Sequence, residues 1–319
     1  MAAFLDSIYF AFILLVVGFV LLIKGADFFV EGSSGIAKKL RIPSIIIGLT
    51  VVAMGTSLPE AAVSVSAGLA GSNELAISNV LGSNIFNLMV VVGFCAVMAP
   101  VVVDKDLLRR DIPISIGAAL LLLLLGLWGM TLGRVDAILL LVLFVAFIVF
   151  LVFAALKNRT AESEEEDEIK ARPMWLCLLF IVGGATAIIF GGDWVVDSAS
   201  KIALTFGMSE TLVGLTIVSI GTSLPEFVTS IVAARKKEVE LSLGNAIGSN
   251  IFNILLILGL AGTVSPLAFL TENIIDVCIL LGFSAFIWIA AWAKKRLGRL
   301  EGVLMILFYV AFVVYIGIR

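Results

Sequence analysis

The sequence has no histidine, only three cysteines and little charge. Without histidine, the chain lacks the commonest metal ligand and the commonest side chain for proton transfer near neutral pH. The three cysteines, Cys95, Cys177 and Cys278, stand singly in apolar segments. No two of them have the spacing of a metal site, so we expect all three to be small buried hydrophobic side chains.

Charged residues make up only 14% of the 319 residues, whereas about a quarter is usual in a soluble domain. Hydrophobic residues reach 61%, and the mean hydropathy is +1.18. This composition cannot cover a water-facing surface, so it predicts a protein whose surroundings are the lipid bilayer. The net charge of −3 argues against a nucleic-acid partner, and nothing in the sequence indicates a cofactor, a partner protein or an enzyme site.

Apolar stretches recur along the whole chain. An α-helix needs about 20 apolar residues to cross the hydrocarbon core, and no β-barrel alternation is present. The first stretch lacks the basic start and the cleavage site of a signal peptide, so we interpret it as a span. We therefore predict an all-α membrane protein with ten transmembrane helices, at residues 7–30, 43–70, 75–99, 112–130, 134–156, 174–203, 210–235, 241–263, 273–291 and 300–318.

Lysine and arginine are concentrated on one side of this arrangement. Seventeen of the 21 basic residues fall in the loops after the first, third, fifth, seventh and ninth spans. Cytoplasmic loops are enriched in these residues, so these loops are predicted to be cytoplasmic and both termini to lie outside the cell. The loop after the fifth span, residues 157–173, has six acidic residues between positions 162 and 168. It is a solvated linker or, alternatively, a weak ion sensor.

The two halves of the chain repeat each other. Residues 48–94 match residues 214–260 without a gap at a constant offset of 166, with 22 identities in 47 positions. The repeat predicts two five-helix units, residues 1–156 and 174–319. Five is an odd number, so the second unit crosses the membrane in the opposite sense to the first. Inverted repeats are a common plan for secondary transporters, which bind their substrate near the midplane between the repeats.

The strongest match is the segment GTSLPE, at 55–60 and again at 221–226. It places Glu60 and Glu226 within predicted spans, where an ionisable residue is costly and indicates a functional site. Thr56 and Thr222 lie four residues earlier, on the same helical face as the glutamates. Pro59 and its counterpart remove a helical N–H, so we expect each helix to be kinked there.

A second segment, GSNIFN, occurs at 82–87 and 248–253. Ser83 and Asn87 are four residues apart and share a helical face, as do Ser249 and Asn253. Asn84 and Asn250 point off that face and are assigned to packing or hydrogen bonding. With the glutamates, these side chains offer carboxylate, amide and hydroxyl oxygens, together with nearby backbone carbonyls. Hard cations such as Ca²⁺ prefer such a set, and two carboxylates balance one divalent ion.

These paired segments resemble the two α-repeats of the cation/calcium exchanger superfamily, most closely its prokaryotic sodium/calcium exchanger branch. The resemblance covers nearly the whole chain. It implies a multi-pass protein of the inner cell membrane that exchanges several Na⁺ for one Ca²⁺ by alternating access, with the first and sixth spans sliding across a fixed core. It further implies a ligand set for the two ions: Glu60, Glu226, Thr56, Thr222, Ser57, Ser223, Ser83, Ser249, Asn87, Asn253 and the backbone carbonyls of Ala53 and Ser219.

Two alternatives remain open from the sequence. The glutamate pair could carry protons, which would make the chain a calcium/proton antiporter. A cation channel is the more distant alternative, because a single polar cluster between inverted repeats does not suit a continuous pore. Asn253 stands where some relatives in the superfamily, including potassium-dependent ones, have aspartate. The missing carboxylate argues against K⁺ co-transport.

Overall fold

The computed structural model describes residues 8–69, 73–158, 173–208, 217 and 219–318. Eight of the described helices are long and apolar enough to cross a membrane, and one bent pair makes a ninth span. The chain is therefore a helical membrane protein. Residues 159–172 of the acidic linker and residues 210–216 and 218 of the predicted seventh span lie outside the described residues.

The helices are α1 (Ile8–Leu40), α2 (Ser44–Thr56), α3 (Leu58–Leu69), α4 (Leu75–Met98), α5 (Leu107–Leu127), α6 (Arg134–Asn158), α7 (Met174–Thr205), α8 (Ser219–Gly221), α9 (Leu224–Arg235), α10 (Val239–Val264), α11 (Thr271–Lys294) and α12 (Arg299–Ile318). Four two-residue strands, β1 (Val101–Val102), β2 (Thr131–Leu132), β3 (Leu267–Ala268) and β4 (Arg296–Leu297), pair antiparallel as β1 with β4 and β2 with β3. The all-α prediction omitted these pairs, because two residues are too few to show strand alternation.

Several predicted boundaries were wrong. Helix α1 does not end at residue 30 but continues to Leu40, because its polar residues find partners. The hydroxyl of Ser34 donates to the Glu238 carboxylate across the structure. Helix α5 begins at Leu107 instead of residue 112. Cys95 and Cys177 are buried as predicted, whereas Cys278 is exposed on α11, which corrects that prediction.

The predicted kink before Pro59 is a full break at Ser57. Helices α2 and α3 meet at an angle of 50° there. Ser57 has φ −84° and ψ 8°, and its repeat counterpart Ser223 has φ −90° and ψ 3°. A new helix then starts with Leu-Pro, so each proline occupies a first-turn position, where its missing N–H costs nothing.

Two of the long helices contain a π turn that begins at an asparagine of the GSNIFN segments. In α4 the π turn is Asn87–Val91, and in α10 it is Asn253–Ile257. A π turn adds one residue to a helical turn, and such turns occur frequently at functional sites. The same local irregularity therefore begins at the corresponding asparagine in both halves.

Helices α1 and α7 pack backbone against backbone along a glycine seam. A Cβ atom added at Gly25 would lie 2.9 Å from the Gly184 carbonyl oxygen, and one added at Gly191 would lie 2.7 Å from the Leu22 nitrogen. Gly18 and Gly32 extend the seam at intervals of seven residues along α1. Small residues let helices approach this closely in membranes, so this pair forms one tightly joined unit.

The two halves also interlock near the centre of the molecule. Helix α10 of the second half packs on α2 of the first half. A Cβ atom added at Gly244 would lie 2.7 Å from the Ile45 carbonyl oxygen, and one at Gly248 would lie 2.8 Å from the Leu49 Cα. This close packing brings the GSNIFN segment of one half against the GTSLPE segment of the other.

Candidate cation-binding site

Glu60 and Glu226 are both completely buried. Each lies in the first turn of the helix that follows the break, α3 for Glu60 and α9 for Glu226. The N-terminal end of a helix carries a partial positive charge, which favours a carboxylate at that position. In the described residues these are the only two fully buried glutamates, and no lysine or arginine is paired with either.

Serines from both halves of the chain contact each glutamate. Ser57 and Ser249 donate to Glu226 Oε1, at 2.8 and 3.5 Å. Ser223 and Ser83 donate to Glu60 Oε1, both at 3.3 Å. The two sets correspond under the 166-residue offset, and each glutamate receives one serine from its own half and one from the other half. The four predicted serines therefore do come together with the two carboxylates.

Four asparagines form a crossed network beside the carboxylates. Asn84 Nδ2 donates to the Asn250 carbonyl at 3.3 Å, and Asn250 Nδ2 donates to the Asn84 carbonyl at 3.1 Å. Asn87 Nδ2 donates to Asn250 Oδ1 at 3.2 Å, and Asn253 Nδ2 donates to Asn84 Oδ1 at 3.0 Å. The assignment of Asn84 and Asn250 to hydrogen bonding is confirmed. Asn87 and Asn253 join this network through Nδ2, and Asn253 Nδ2 also donates to Ser83 at 3.2 Å. The amide oxygens of both residues have no hydrogen-bond partner.

Several buried oxygen atoms in this cluster lack a hydrogen-bond partner. Of the eight such side-chain atoms in the described residues, five belong to predicted ligand residues: Glu60 Oε2, Glu226 Oε2, Asn87 Oδ1, Asn253 Oδ1 and Thr222 Oγ1. Leaving a buried polar atom unpaired costs about 1–3 kcal/mol, and more for a charged group. Unpaired acceptors concentrated at one place are the arrangement that a bound cation would satisfy.

The remaining predicted ligands differ between the halves. Thr56 is buried, and its hydroxyl has acceptors at Asn245 Oδ1 and the Val52 carbonyl. The Ala53 carbonyl accepts from the Ser57 N–H at 3.0 Å, whereas the N–H of Ser223 donates to Ile220 instead of to Ser219. The side chain of Ser219 lies outside the described part of the structure.

Sequence reasoning missed Asn245. Its side chain is completely buried and contacts Thr56, the Glu226 carbonyl and Ser230. Asn245 matches Asn79 in the repeat, and Ser230 matches Ser64, which Asn79 contacts at 3.1 Å. The repeat alignment shows an asparagine at this position in both halves. The sequence does not distinguish an asparagine that packs between helices from one that supports a binding site.

The charged residues near the end of α1 lie outside this cluster. Lys236, just after α9, contacts Asp27 Oδ1 at 3.0 Å and the Asp27 carbonyl at 2.9 Å. Lys38 lies 3.8 Å from Glu238. These ion pairs join α1 to the turn between α9 and α10. Over the described residues, no group of three or more histidine, cysteine, aspartate or glutamate side chains is placed to hold a metal ion.

Comparison with known proteins gives consistent matches over almost the whole chain. The family model described as sodium/calcium exchanger protein matches residues 10–153 and 175–317. The inner membrane protein YrbG of Escherichia coli is 35% identical over 308 residues, covering 92% of each chain. The sodium/calcium exchanger MaX1 of Methanosarcina acetivorans is 33% identical over 340 residues, covering 95% of this chain and 97% of that protein.

A solved structure matches as well. The sodium-calcium exchanger NCX_Mj, soaked with 2.5 mM Na⁺ and 10 mM Sr²⁺, has a TM-score of 0.85 and 31% sequence identity, and the match covers 97% of this chain and 99% of that one. These findings confirm the superfamily resemblance carried by the GTSLPE and GSNIFN segments. The chain belongs to the sodium/calcium exchanger protein family, a family of membrane cation antiporters.

Proposed function

We propose that this chain exchanges several Na⁺ for one Ca²⁺ across the membrane by alternating access, with the ions bound between its two halves. The observation that carries the proposal is the set of unpaired buried oxygens, Glu60 Oε2, Glu226 Oε2, Asn87 Oδ1 and Asn253 Oδ1. They form two pairs related by the repeat, and all are acceptors. A cation is the partner that satisfies acceptors without supplying a competing acceptor.

The ligands follow from the same geometry. Glu60 and Glu226 supply two negative charges, which balance one Ca²⁺. Ca²⁺ takes six to eight oxygens in a flexible shell, and Na⁺ also binds oxygen ligands. We assign the remaining positions to hydroxyls, amide oxygens and backbone carbonyls of Thr56, Thr222, Ser57, Ser223, Ser83, Ser249, Asn87, Asn253, Ala53 and Ser219. Two carboxylates at low dielectric repel each other, so a departing cation must be replaced. This requirement suits exchange.

The proposed architecture is two inverted five-helix units, residues 1–156 and 174–319, joined by the linker 157–173. The ten spans, with both termini outside the cell, place the basic loops in the cytoplasm. In that orientation the Lys236–Asp27 contact lies at the cytoplasmic end. We place the protein in the inner cell membrane, where Na⁺ entering down its gradient can drive Ca²⁺ outward.

Flux in proteoliposomes tests the function. Purified protein is reconstituted into Na⁺-loaded vesicles, which are diluted into Na⁺-free medium with ⁴⁵Ca²⁺, and uptake is compared with vesicles that have equal Na⁺ on both sides. We expect uptake only with the Na⁺ gradient. Because several Na⁺ leave for each Ca²⁺ that enters, exchange carries net positive charge out of the vesicle. Removing an inside-negative membrane potential should therefore make uptake faster. When the choline of the Na⁺-free medium is replaced by K⁺ at a clamped membrane potential, the rate of Ca²⁺ uptake should stay the same.

Two results would overturn the proposal in favour of its rivals. Uptake driven by a pH gradient alone, with Na⁺ without effect, would make the chain a calcium/proton antiporter. Ca²⁺ movement that needs no counter-ion and never saturates would make it a channel. Both assays use the same vesicles, so a single preparation distinguishes the three transport modes.

A further inference from the structure

Asn245 is a buried amide at the centre of the molecule that lies outside the proposed ligand set. Its Oδ1 accepts from Thr56 Oγ1 at 3.1 Å, and its Nδ2 donates to the Glu226 carbonyl at 3.3 Å and to Ser230 Oγ at 2.9 Å. The side chain is fully buried. Asn245 therefore links α10 to α2 on one side and to α9 on the other.

The direction of the Thr56 proton determines what its hydroxyl can do. A hydroxyl has one hydrogen and two acceptor lone pairs. To bind a cation, it must present a lone pair and send its hydrogen to another acceptor. The acceptors in hydrogen-bond geometry with Thr56 Oγ1 are Asn245 Oδ1 at 3.1 Å, the Val52 carbonyl at 3.2 Å and the Ala53 carbonyl at 3.4 Å, and the Glu226 carboxylate also interacts with this hydroxyl. A cation bound to that carboxylate would repel the proton from it and leave the neutral acceptors. Asn245 Oδ1 is the nearest, and the Ala53 carbonyl already accepts from the Ser57 N–H.

The amide of Asn245 is itself held in one orientation. Both of its described donor contacts, to Ser230 and to Glu226, run through Nδ2. The oxygen must therefore point toward Thr56, since a flipped amide would place acceptors against each other. Ser230 and the Glu226 backbone thus fix an acceptor on the side of the Thr56 hydroxyl.

The repeat provides an internal comparison. Thr222 is the counterpart of Thr56, and Asn79 is the counterpart of Asn245. Asn79 keeps the equivalent bond to Ser64, but Thr222 Oγ1 has no hydrogen-bond partner among the described residues. The same sequence pattern therefore directs the threonine proton in one half and leaves it undirected in the other. The Asn245–Thr56 contact is a feature of tertiary structure and is not dictated by local sequence.

We propose that Asn245 is a positioning residue of the cation site, which accepts the Thr56 proton and thereby turns a lone pair of that hydroxyl toward the bound cation. The proposal rests on the proposed function of the site. It adds a residue that touches no ion, and it assigns unequal roles to the two threonines. Thr56 is a preoriented ligand, and Thr222 must orient when the ion arrives.

A double-mutant cycle tests this role. The variants Asn245→Ala, Thr56→Val and their combination are compared with the parent by equilibrium ⁴⁵Ca²⁺ binding to purified protein and by the Ca²⁺ KM of Na⁺-driven uptake. One orienting hydrogen bond is worth about 0.5–1.5 kcal/mol, so Asn245→Ala should weaken Ca²⁺ binding about three- to tenfold. Once Thr56 is valine, adding Asn245→Ala should have little further effect on binding, since residues acting through one interaction are not additive.

Asn273→Ala is the matched control. Asn273 is equally buried, but it caps α11 through the Leu270 N–H and contacts Ser78, away from the site. The Asn273→Ala variant should change protein yield or thermal stability without changing the Ca²⁺ KM. Additive effects of Asn245→Ala and Thr56→Val, or an Asn245→Ala variant with unchanged KM and only reduced yield, would overturn the positioning role while leaving the exchange function intact. Absence of Na⁺-driven uptake in the parent protein would instead overturn the exchange function and, with it, this role.

Discussion

Asn84 and Asn250, 166 positions apart, each donate a side-chain hydrogen bond to the backbone carbonyl of the other, at 3.3 and 3.1 Å. Both side chains are fully or almost fully buried. This reciprocal pair joins α4 to α10 close to the start of their π turns. The side-chain oxygens of the pair accept hydrogen bonds from the amides of Asn87 and Asn253 and so fix the orientation of those amides. The pair is one of several hydrogen-bonded links between the two halves at the level of the site.

Breaking this pair should destabilise the protein. Asn84→Ala removes one donor to the Asn250 carbonyl and one of the two acceptors of Asn253 Nδ2, and each lost hydrogen bond costs about 0.5–1.5 kcal/mol. We expect a lower thermal unfolding temperature in detergent for Asn84→Ala and for Asn250→Ala, and a double variant that loses less than the sum. Asn79→Ala is the control, because Asn79 is only half-buried. Simple additivity of the two losses would contradict the reciprocal arrangement.

Neutralising either glutamate should abolish transport. Glu60→Gln and Glu226→Gln keep the shape but remove one of the two charges that balance Ca²⁺. Truncating one partner of a buried charge pair typically costs about 2–5 kcal/mol, so Ca²⁺ affinity should fall by about 30-fold or more. The measurement is ⁴⁵Ca²⁺ uptake per folded molecule, with the exposed Glu272→Gln as control. Normal uptake in both variants would refute the site assignment.

Adding a carboxylate at Asn253 should shift selectivity toward the divalent ion. Coulomb attraction grows with ion charge, so a third carboxylate stabilises Ca²⁺ more than Na⁺. Asn253→Asp also removes the donor that contacts Ser83 at 3.2 Å and Asn84 at 3.0 Å. We expect tighter Ca²⁺ binding, slower exchange and a higher Na⁺ concentration for half-maximal release of Ca²⁺. Faster exchange with unchanged ion affinities would contradict this account.

The Lys236–Asp27 ion pair should hold one end of the transporter closed. Exposed pairs are worth about 0.2–1 kcal/mol, so Lys236→Gln should change the opening equilibrium only about two- to fivefold. We expect a thiol reagent to label a cysteine introduced at the membrane-facing end of the α9–α10 turn more in the Lys236→Gln variant than in the parent. The neighbour Lys237 has the same charge, and no ion pair of its own is described. Lys237→Gln should leave labelling unchanged, and equal effects of the two variants would exclude a specific role for Lys236.

The glycine seam should tolerate no side chain. Gly25→Ala places a Cβ 2.9 Å from backbone atoms of α7. Overpacking of this kind typically costs about 1–3 kcal/mol. Gly183→Ala is the control on α7 itself, because no described atom lies within 4 Å of a Cβ there. We expect a large fall in thermal stability for the first variant and none for the second. Equal stability of both would show that α1 and α7 are not in close contact.

The sequence was sufficient for the features that depend on local pattern. The repeat located both GTSLPE segments, and the prolines located both helix breaks, because missing N–H groups act locally. The glutamates, serines and asparagines were found because polar residues stand out within apolar spans. The comparisons support the family that these residues indicated.

The features that depend on partners distant in sequence were not predictable. The end of α1 was placed too early, because Glu31 and Ser34 look like helix-ending polar residues until Lys236 and Glu238 approach them. Asn245 could be recognised only after α10 was packed against α2. The π turns at Asn87 and Asn253 left no mark in the hydrophobic pattern, since one added residue does not change composition.

The arrangement of the serines around the glutamates makes the two halves depend on each other. Glu60 takes one serine from each half, and so does Glu226. A single half produced alone would hold one carboxylate and half of its donors. It would lack the serine that the other half donates to its glutamate, so neither half can assemble the cluster by itself. Any movement of one half against the other therefore changes the hydrogen bonds of both carboxylates at the same time.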